Sequence, residues 1–286
     1  MFSKMKSVFH RTMARLERVG GQQQIHRCKV KTHIILLEVQ SEIERYRART
    51  YSTKEPETLE WIERYFRPGD VFYDVGANIG LYSLFAAKHL GGQCKIYAFE
   101  PEALNYAQLS KNIFLNRLSG VIIPCCVALT DTVSFDTLYL NPDNFQSLAG
   151  GQLVAGSSLH SFGVPKDYAN RPFQPFHQQG LVGVSIDHLW QGWGLDFPNH
   201  IKVDVDGLEG LIFAGAGQSL ADKRLRSVLV EISAQMGGTD PITQSLSQNG
   251  FKQVTDFAAH SSEQLKGTPF EDSANCVFIR EQYLAG

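Results

Sequence analysis

Short apolar segments alternate with helix-forming segments through the middle of this 286-residue chain. The segments VFYDV (71–75), KIYAFE (95–100) and VIIPCCVAL (121–129) have the apolar, β-branched and aromatic composition of strands. Between them, LYSLFAAKHL (81–90) and ALNYAQLSKNIFLN (103–116) have helical spacing of apolar residues. Because the connections are short, this alternation predicts βαβ units. We therefore expect an α/β fold with a mostly parallel central sheet and helices on both faces.

The alternation is interrupted once and then resumes. Residues 131–180 are rich in Ser, Gly, Asn, Gln and Pro. They predict an antiparallel excursion or a loop over the carboxyl edge of the sheet, where long connections often serve as lids. A fourth core strand, HIKVDV (200–205), and a fifth, SVLVEIS (227–233), follow on either side of a helix at 208–215.

Basic residues are concentrated at the N-terminus. Residues 1–33 contain eight Lys or Arg and one acid, Glu17, which gives +7; since the whole chain is −2, the remainder is −9. This mildly acidic body offers no broad footprint for nucleic acid. We predict a basic helical extension over residues 1–52 and a catalytic domain over residues 53–286.

Residues 2–18 have the apolar spacing of an amphipathic helix, with basic residues over the rest of its surface. Two alternatives remain for this helix. Its apolar face packs on the protein itself or on a second subunit, giving a homo-oligomer, or it lies on an anionic membrane surface.

Several protein classes are excluded by composition. No apolar run approaches the roughly 20 residues that cross a bilayer, and the basic N-terminus lacks the apolar core of a secretory signal. Five cysteines without a CxxC pair argue against a disulfide scaffold or a zinc ribbon. We therefore expect a cytoplasmic protein without a transmembrane segment.

The segment Asp74-Val75-Gly76-Ala77-Asn78-Ile79-Gly80 lies where the first core strand turns into a helix. Glycine in such a turn lets the backbone approach a ligand closely, and the helix N-terminus favours an anionic group. Glu100 ends the second strand, where a carboxylate can accept hydrogen bonds from both ribose hydroxyls. A glycine-rich turn together with a strand-end acid predicts a cofactor that contains adenosine.

Two such cofactors compete. A nicotinamide site requires G-x-G-x-x-G, but Asn78 takes the place of the glycine that makes room for the pyrophosphate, and Asp74 would repel the phosphates. S-adenosylmethionine (SAM) has no phosphates and carries an ammonium group and a cationic sulfur. The electrostatics therefore favour SAM, with an NAD-dependent oxidoreductase as the alternative.

Four sequence blocks in this order resemble the FkbM-type SAM-dependent methyltransferases: TKEPETLEWI (53–62), GDVFYDVGANIGLYSL (69–84), YAFEP (97–101) and IKVDVDGLE (201–209). The resemblance implies a Rossmann-like fold and methylation of a hydroxyl of a sugar or secondary metabolite. It places Asp74, Gly76, Asn78 and Gly80 on the cofactor motif, Glu100 on the ribose-binding acid and Asp204 beside the site of methyl transfer. Where the family often has D-V-E-G, this chain has D-V-D-G, which keeps the charge but shortens its reach.

The strand-end acids are the candidates for catalysis. Asp204 lies at the end of the fourth core strand and Glu231 at the end of the fifth, and carboxyl ends of strands face the ligand crevice in open α/β sheets. Together they could hold Mg²⁺, which lowers the pKa of an acceptor hydroxyl, or Asp204 could act as general base. For Asp206 and Glu209 the simpler role is to complement a helix dipole.

His160 and His188 are alternative bases, because the pKa of histidine lies near neutrality. A packing or surface role is the other interpretation of each.

The sequence therefore predicts a SAM-dependent methyltransferase that O-methylates a small-molecule or glycan acceptor. The alternatives are an NAD-dependent oxidoreductase and a non-catalytic SAM-binding or scaffold module.

Overall fold

The computed structural model describes residues 24–141, 154–157, 160–167, 171–205, 207–233, 241–257 and 273–284. Its strands are β1 (Gln24–Val30), β2 (His33–Val39), β3 (Val71–Val75), β4 (Lys95–Phe99), β5 (Ile122–Cys125), β6 (Ala128–Leu129), β7 (Ser134–Leu140), β8 (Ser161–Phe162), β9 (His177–Val184), β10 (His200–Val203), β11 (Ser227–Ser233), β12 (Phe251–Val254) and β13 (Ser273–Arg280). Its α-helices are α1 (Glu42–Thr50), α2 (Pro56–Tyr65), α3 (Leu81–His89), α4 (Ala103–Leu115), α5 (Ile186–Gln191), α6 (Glu209–Ala214), α7 (Gly217–Ala221) and α8 (Pro241–Gln248). A 3₁₀ turn, Glu281–Tyr283, follows β13.

The central sheet has seven strands in the order β12-β13-β11-β10-β3-β4-β5. Strands β11, β10, β3, β4 and β5 run parallel to one another, and β13 is antiparallel to both β11 and β12. The predicted mostly parallel sheet is therefore confirmed. Chain order along the sheet reverses between β3 and β10, so the carboxyl ends of these two strands border the crevice where open α/β sheets bind ligands.

Helices cover both faces of this sheet, as predicted. Phe72 packs into one core with apolar residues of α2, α3 and α4, while its neighbour Tyr73 packs into a second core with residues of α5, α6 and α8. Successive residues of a strand point to opposite faces, so one apolar strand can serve both cores. Among the described residues, no helix is both long and apolar enough to cross a membrane.

The residues before the first core strand form a hairpin and a helix. Strands β1 and β2 pair antiparallel, and Ile35 and Leu37 are buried in the same core as the α3 side of the sheet. The predicted helical character of residues 1–52 is thus wrong for residues 24–39, because alternate apolar side chains there cover the core as strands do. The boundary at residue 52 stays a prediction, and the predicted helix at 2–18 lies outside the described residues.

The excursion at 131–180 contributes to a second sheet of four strands, in the order β6-β9-β7-β8. The predicted antiparallel character is confirmed for β7 with β8 and with β9. The single predicted strand at 121–129 is wrong, because β5 ends the central sheet while β6 pairs with β9. Pro124, which has no N–H to donate, suits the edge position of β5.

Candidate active site

The turn between β3 and α3 is held against the end of β10. Gly76 has a φ of 80°, and a Cβ atom there would lie 1.9 Å from the carbonyl oxygen of Asp204. Gly80 has a φ of 93°, and its Cβ would lie 2.5 Å from Cδ1 of Leu109 on α4. The glycines are therefore required by contacts within the protein, in addition to any ligand that the turn accommodates.

Asp74 ends β3 with a buried carboxylate. Its Oδ2 accepts a hydrogen bond of 2.5 Å from Ser83 Oγ, whereas its Oδ1 has no hydrogen-bond partner among the described residues. Burial raises the pKa of Asp74, although the charge of Lys202 and the bond from Ser83 oppose this shift. An unpartnered buried carboxylate oxygen is a suitable acceptor for the ammonium group of SAM, so this residue fits the predicted cofactor.

Glu100, directly after β4, accepts three hydrogen bonds from the protein. Oε2 accepts from the Asn78 N–H at 2.7 Å, and Oε1 accepts from the Glu102 N–H at 3.0 Å and from Asn105 Nδ2 at 3.3 Å. Burial raises the pKa of Glu100 to about 7 despite these three donors. Since a carboxylate has about four acceptor positions, the position left on Oε2 suits one ribose hydroxyl rather than the two that the sequence suggested.

A strap formed by Gly156 and Ser157 connects the excursion to the cofactor turn. The Ser157 carbonyl accepts from Asn78 Nδ2 at 2.7 Å and from Asn105 Nδ2 at 3.0 Å, and the Gly156 N–H donates to Asn105 Oδ1 at 2.7 Å. Arg47 Nε on α1 donates to the Gly156 carbonyl at 2.7 Å. Asn78 itself has a φ of 49°, which asparagine tolerates better than most residues. Its side chain therefore anchors the strap.

The two candidate histidines have different surroundings. His160 Nε2 lies 3.3 Å from Ser157 Oγ, which places this ring beside the strap. Burial lowers the pKa of His160 to about 4, so its imidazole is a weak base at neutral pH. His188 lies on α5, with its ring edge-on to Trp193 and against Gly192. A catalytic role for either histidine stays a prediction.

Asp204 directly follows β10, and its backbone contacts the cofactor turn at Gly76. Its N–H donates to the Val75 carbonyl at 3.2 Å, and its Oδ2 lies 2.6 Å from Lys202 Nζ. The side chain of Asp204 is 25% exposed and that of Lys202 only 1%. Sequence reasoning did not single out Lys202, although its position two residues before Asp204 puts both on one face of an extended chain.

The remaining strand-end acids differ in their contacts. Glu209 accepts from the N–H groups of Val205 at 3.2 Å and Gly207 at 3.0 Å, which confirms its predicted place at a helix N-terminus. Asp206 lies outside the described residues. Glu231 lies on β11 opposite Asn275 of β13. Across the described ranges, no group of three or more His, Cys, Asp or Glu side chains could hold a metal ion.

The strand order, the glycine turn after β3 and the acids at the ends of β3 and β4 are those of a Rossmann-like methyltransferase fold. The chain matches the Methyltransferase FkbM domain over residues 74–253. It therefore belongs to the FkbM methyltransferase family.

Three relatives illustrate the range of similarity. The chain is 27% identical over 200 residues to the 31-O-demethyl-FK506 methyltransferase FkbM of Streptomyces tacrolimicus, covering 66% of this chain and 75% of that one. It is 29% identical over 206 residues to the methyltransferase sdnD of Sordaria araneosa, covering 67% and 77%. It is 25% identical over 181 residues to the hexuronic acid methyltransferase AglP of Haloferax volcanii, covering 63% and 62%.

Membership of this family confirms the predicted SAM-dependent methyltransferase. Family membership therefore argues against the two alternative functions, an NAD-dependent oxidoreductase and a non-catalytic SAM-binding or scaffold module. SAM is thus the cofactor, and Asp74 and Glu100 are the residues whose contacts fit it.

Proposed function

We propose that this enzyme transfers the methyl group of SAM to a hydroxyl oxygen of a sugar, a glycan or a secondary metabolite, with Asp204 as the proton acceptor. The names of two relatives, which specify a hexuronic acid and 31-O-demethyl-FK506, support this acceptor class. The observation that carries the proposal is the Asp204 carboxylate, which is 25% exposed and directly follows β10, the strand that pairs with β3.

The cofactor is held by residues on the β3 and β4 side of the crevice. Asp74 Oδ1 would accept from the ammonium group of SAM and Glu100 Oε2 from a ribose hydroxyl, and the Gly76–Gly80 turn lies between these two residues in the chain. When bound, SAM supplies a methyl group on a cationic sulfur that leaves as a neutral thioether. Holding this methyl group and the acceptor at near-attack distance supplies much of the rate enhancement.

The proton of the acceptor has to leave as the new bond forms. Asp204 Oδ1 would accept the hydroxyl proton as the acceptor oxygen takes the methyl group that SAM would supply, with the sulfur leaving as a neutral thioether. Lys202 already occupies Oδ2. The alternative is that Asp204 and Glu231 bind Mg²⁺, which would lower the pKa of the hydroxyl.

The test uses SAM labelled with tritium in its methyl group and two probes, glucuronic acid and 31-O-demethyl-FK506. We expect incorporation into one of them, and we expect Asp204→Asn to lower turnover by about 10² or more while SAM affinity remains. Glu231→Gln and EDTA should change turnover little. Normal turnover by Asp204→Asn would refute the base, and loss of activity with EDTA that Mg²⁺ restores would establish the metal.

The surroundings of the enzyme belong to the same proposal. We place it in the cytoplasm and assign it no nucleic-acid substrate, with the apolar face of residues 2–18 packed on the protein itself or on a second subunit in a homo-oligomer. Deleting residues 1–20 should then lower the melting temperature or reduce the molar mass in sedimentation equilibrium, and leave binding to anionic vesicles absent. Salt-sensitive vesicle binding by the full chain would overturn this assignment.

A further inference from the structure

Lys202 is a buried ammonium group in the middle of the sheet. All four residues of β10 are buried, and the side chain of Lys202 is 1% exposed. Removing an ammonium from water is costly unless carboxylates surround it. The pKa of Lys202 is raised although burial alone would lower it, because the charges of Asp204, Glu55 and Asp74 outweigh the loss of hydration.

Glu55 supplies the second part of this charge cluster. It is the N-cap residue of α2, yet its side chain makes no capping hydrogen bond, and it lies 2.8 Å from Lys54 Nζ instead. Burial alone would raise the pKa of Glu55, but Lys54 and Lys202 hold it well below its usual range, with hydrogen bonding from Lys54 and Tyr82. Glu55 is therefore a fixed negative charge that attracts the Lys202 ammonium group.

Tyr82 restricts the position of the ammonium group further. Lys202 Nζ lies 5.0 Å from the centroid of the Tyr82 ring, within the range of a cation–π interaction. Tyr82 is on α3, directly after the glycine turn, and it is 9% exposed. The ammonium group is thus held by a carboxylate on β10, an aromatic ring on α3 and the field of Glu55.

We propose that Lys202 is a positioning residue for methyl transfer, and that it acts by fixing Asp204 Oδ2 so that Oδ1 alone is presented to the acceptor hydroxyl. This inference rests on the proposed role of Asp204. A carboxylate that rotates freely offers either oxygen in many orientations, whereas one bound at 2.6 Å by an immobile ammonium offers a single oxygen in one orientation.

A double-mutant cycle tests this role on the full chain, with whichever of glucuronic acid and 31-O-demethyl-FK506 is methylated. We expect Lys202→Met to lower kcat at saturating SAM by about 10- to 100-fold; SAM affinity is measured separately, because the charge of Lys202 also opposes the raised pKa of Asp74. Because Lys202 acts through Asp204, adding Lys202→Met to Asp204→Asn should lower kcat by less than about threefold more. Fully additive losses, or normal turnover by Lys202→Met, would overturn the proposal.

Lys95→Met is the matched control. Lys95 begins β4 in the same sheet and pairs with Asp196 at 2.5 Å, but its side chain is 46% exposed and its pair lies at the opposite end of the strands. This variant loses one lysine and one ion pair, and its turnover should stay normal. Should Lys202→Met fail to fold, Lys202→Gln keeps a hydrogen-bond donor without the charge and takes its place in the cycle.

A second measurement requires no acceptor. In protein labelled with ¹⁵N-lysine, NMR of the side-chain ammonium groups should show one slowly exchanging signal, lost in Lys202→Gln. In Asp204→Asn this signal should shift. The pKa of Lys202 should also fall by one unit or more, because burial lowers it and the charge of Asp204 no longer raises it. A signal unchanged by Asp204→Asn would overturn the inference. If the signal shifts as expected while Asp204→Asn turns over normally, the proposed base has failed and Lys202 has no reacting group to position.

Discussion

Gly76 and the carbonyl group of Asp204 are in such close contact that a methyl side chain cannot fit between them. The added Cβ would lie 1.9 Å from the oxygen and 2.9 Å from the carbonyl carbon. Both positions follow core strands that are neighbours in the sheet, so this contact fixes the cofactor turn against the segment that carries Asp204.

Gly76→Ala should therefore destabilise the protein and impair SAM binding. We expect a loss of about 2–5 kcal/mol in the free energy of unfolding, from a left-handed backbone and from overpacking together. Gly69→Ala is the control, because Gly69 has a φ of 92° but nothing within 4 Å of its Cβ position. That variant should lose only about 1–2 kcal/mol and bind SAM normally. Equal losses in urea unfolding of the two variants would contradict the importance of the contact.

The raised pKa of Glu100 makes SAM binding dependent on pH. With a pKa of about 7 in the free enzyme, Glu100 must lose its proton to accept a ribose hydroxyl, so SAM binding should release a proton near neutrality. We expect the Kd to increase about tenfold between pH 8 and pH 6 and this dependence to be lost in Glu100→Gln. Calorimetry in buffers of different ionisation enthalpy measures both the Kd and the number of protons released on SAM binding. Glu102→Gln, which removes a cap from α4, should keep the dependence.

The same shift affects the stability of the free enzyme with the opposite sign. Because the folded state holds the Glu100 proton more tightly than the unfolded chain does, this residue should lower the free energy of unfolding as the pH rises from about 4.5 to about 7. Glu100→Gln should remove this contribution, and denaturant titrations at pH 5 and pH 7 compare the two proteins. A difference between them that is independent of pH would contradict the raised pKa.

Asp74→Asn should have opposite effects on binding and on stability. The neutral side chain loses its attraction for the cofactor ammonium, which should weaken SAM binding by about 1.5–3 kcal/mol. The free enzyme should be as stable as the wild type or more so, because a buried charge with one unpartnered oxygen is removed. Asp70→Asn is the contrasting variant. Asp70 precedes β3 and binds His200 and Arg226, so its loss should lower the melting temperature without affecting SAM affinity.

His200 makes the fold sensitive to acid. Its Nε2 donates to Asp70 at 2.9 Å and its Nδ1 lies 2.7 Å from Ser227 Oγ, all within the core. Burial lowers the pKa of His200 more than Asp70 raises it, so its contribution to stability is present above pH 6.5 and is lost as the pH falls. We expect the free energy of unfolding of the wild type to fall relative to that of His200→Gln by up to about 1.4 kcal/mol per pH unit below pH 6.5. His26→Gln on β1 should follow the wild type.

The sequence was most informative where function depends on strand ends. Asp74, Glu100 and Asp204 could be placed in one crevice, since carboxyl ends of parallel strands meet at one edge of a sheet. Lys202 was not predicted as a site residue, because the apolar residues on either side of it indicated only a buried core strand. The spacing of His200, Lys202 and Asp204 nevertheless puts three polar groups on one face of a strand, and that signal could have revealed the buried pair.

The β1–β2 hairpin and the contacts of the strap have a weak sequence pattern or none. The β1–β2 hairpin turns at Lys31 with a φ of 53° and without a glycine, and β1 buries only Cys28 and Val30, so its alternation is weak. Asn78 and Asn105 both donate to the backbone carbonyl of Ser157 in the strap. Every residue has such a carbonyl, so the amino-acid sequence does not reveal this contact. Its partner Asn105 lies 52 residues away, and only the folded chain brings them together.

The strap also bears on how enzymes of this type could change acceptor. The side-chain amides of Asn78 and Asn105 donate hydrogen bonds to the backbone carbonyl of Ser157 and not to a side chain there. The polypeptide on either side of this attachment point can therefore vary in length and composition while the cofactor site at the Gly76–Gly80 turn and Glu100 keeps its shape. An engineer who exchanges the excursion for that of another family member should therefore preserve Asn78, Asn105 and the backbone contacts of Gly156 and Ser157.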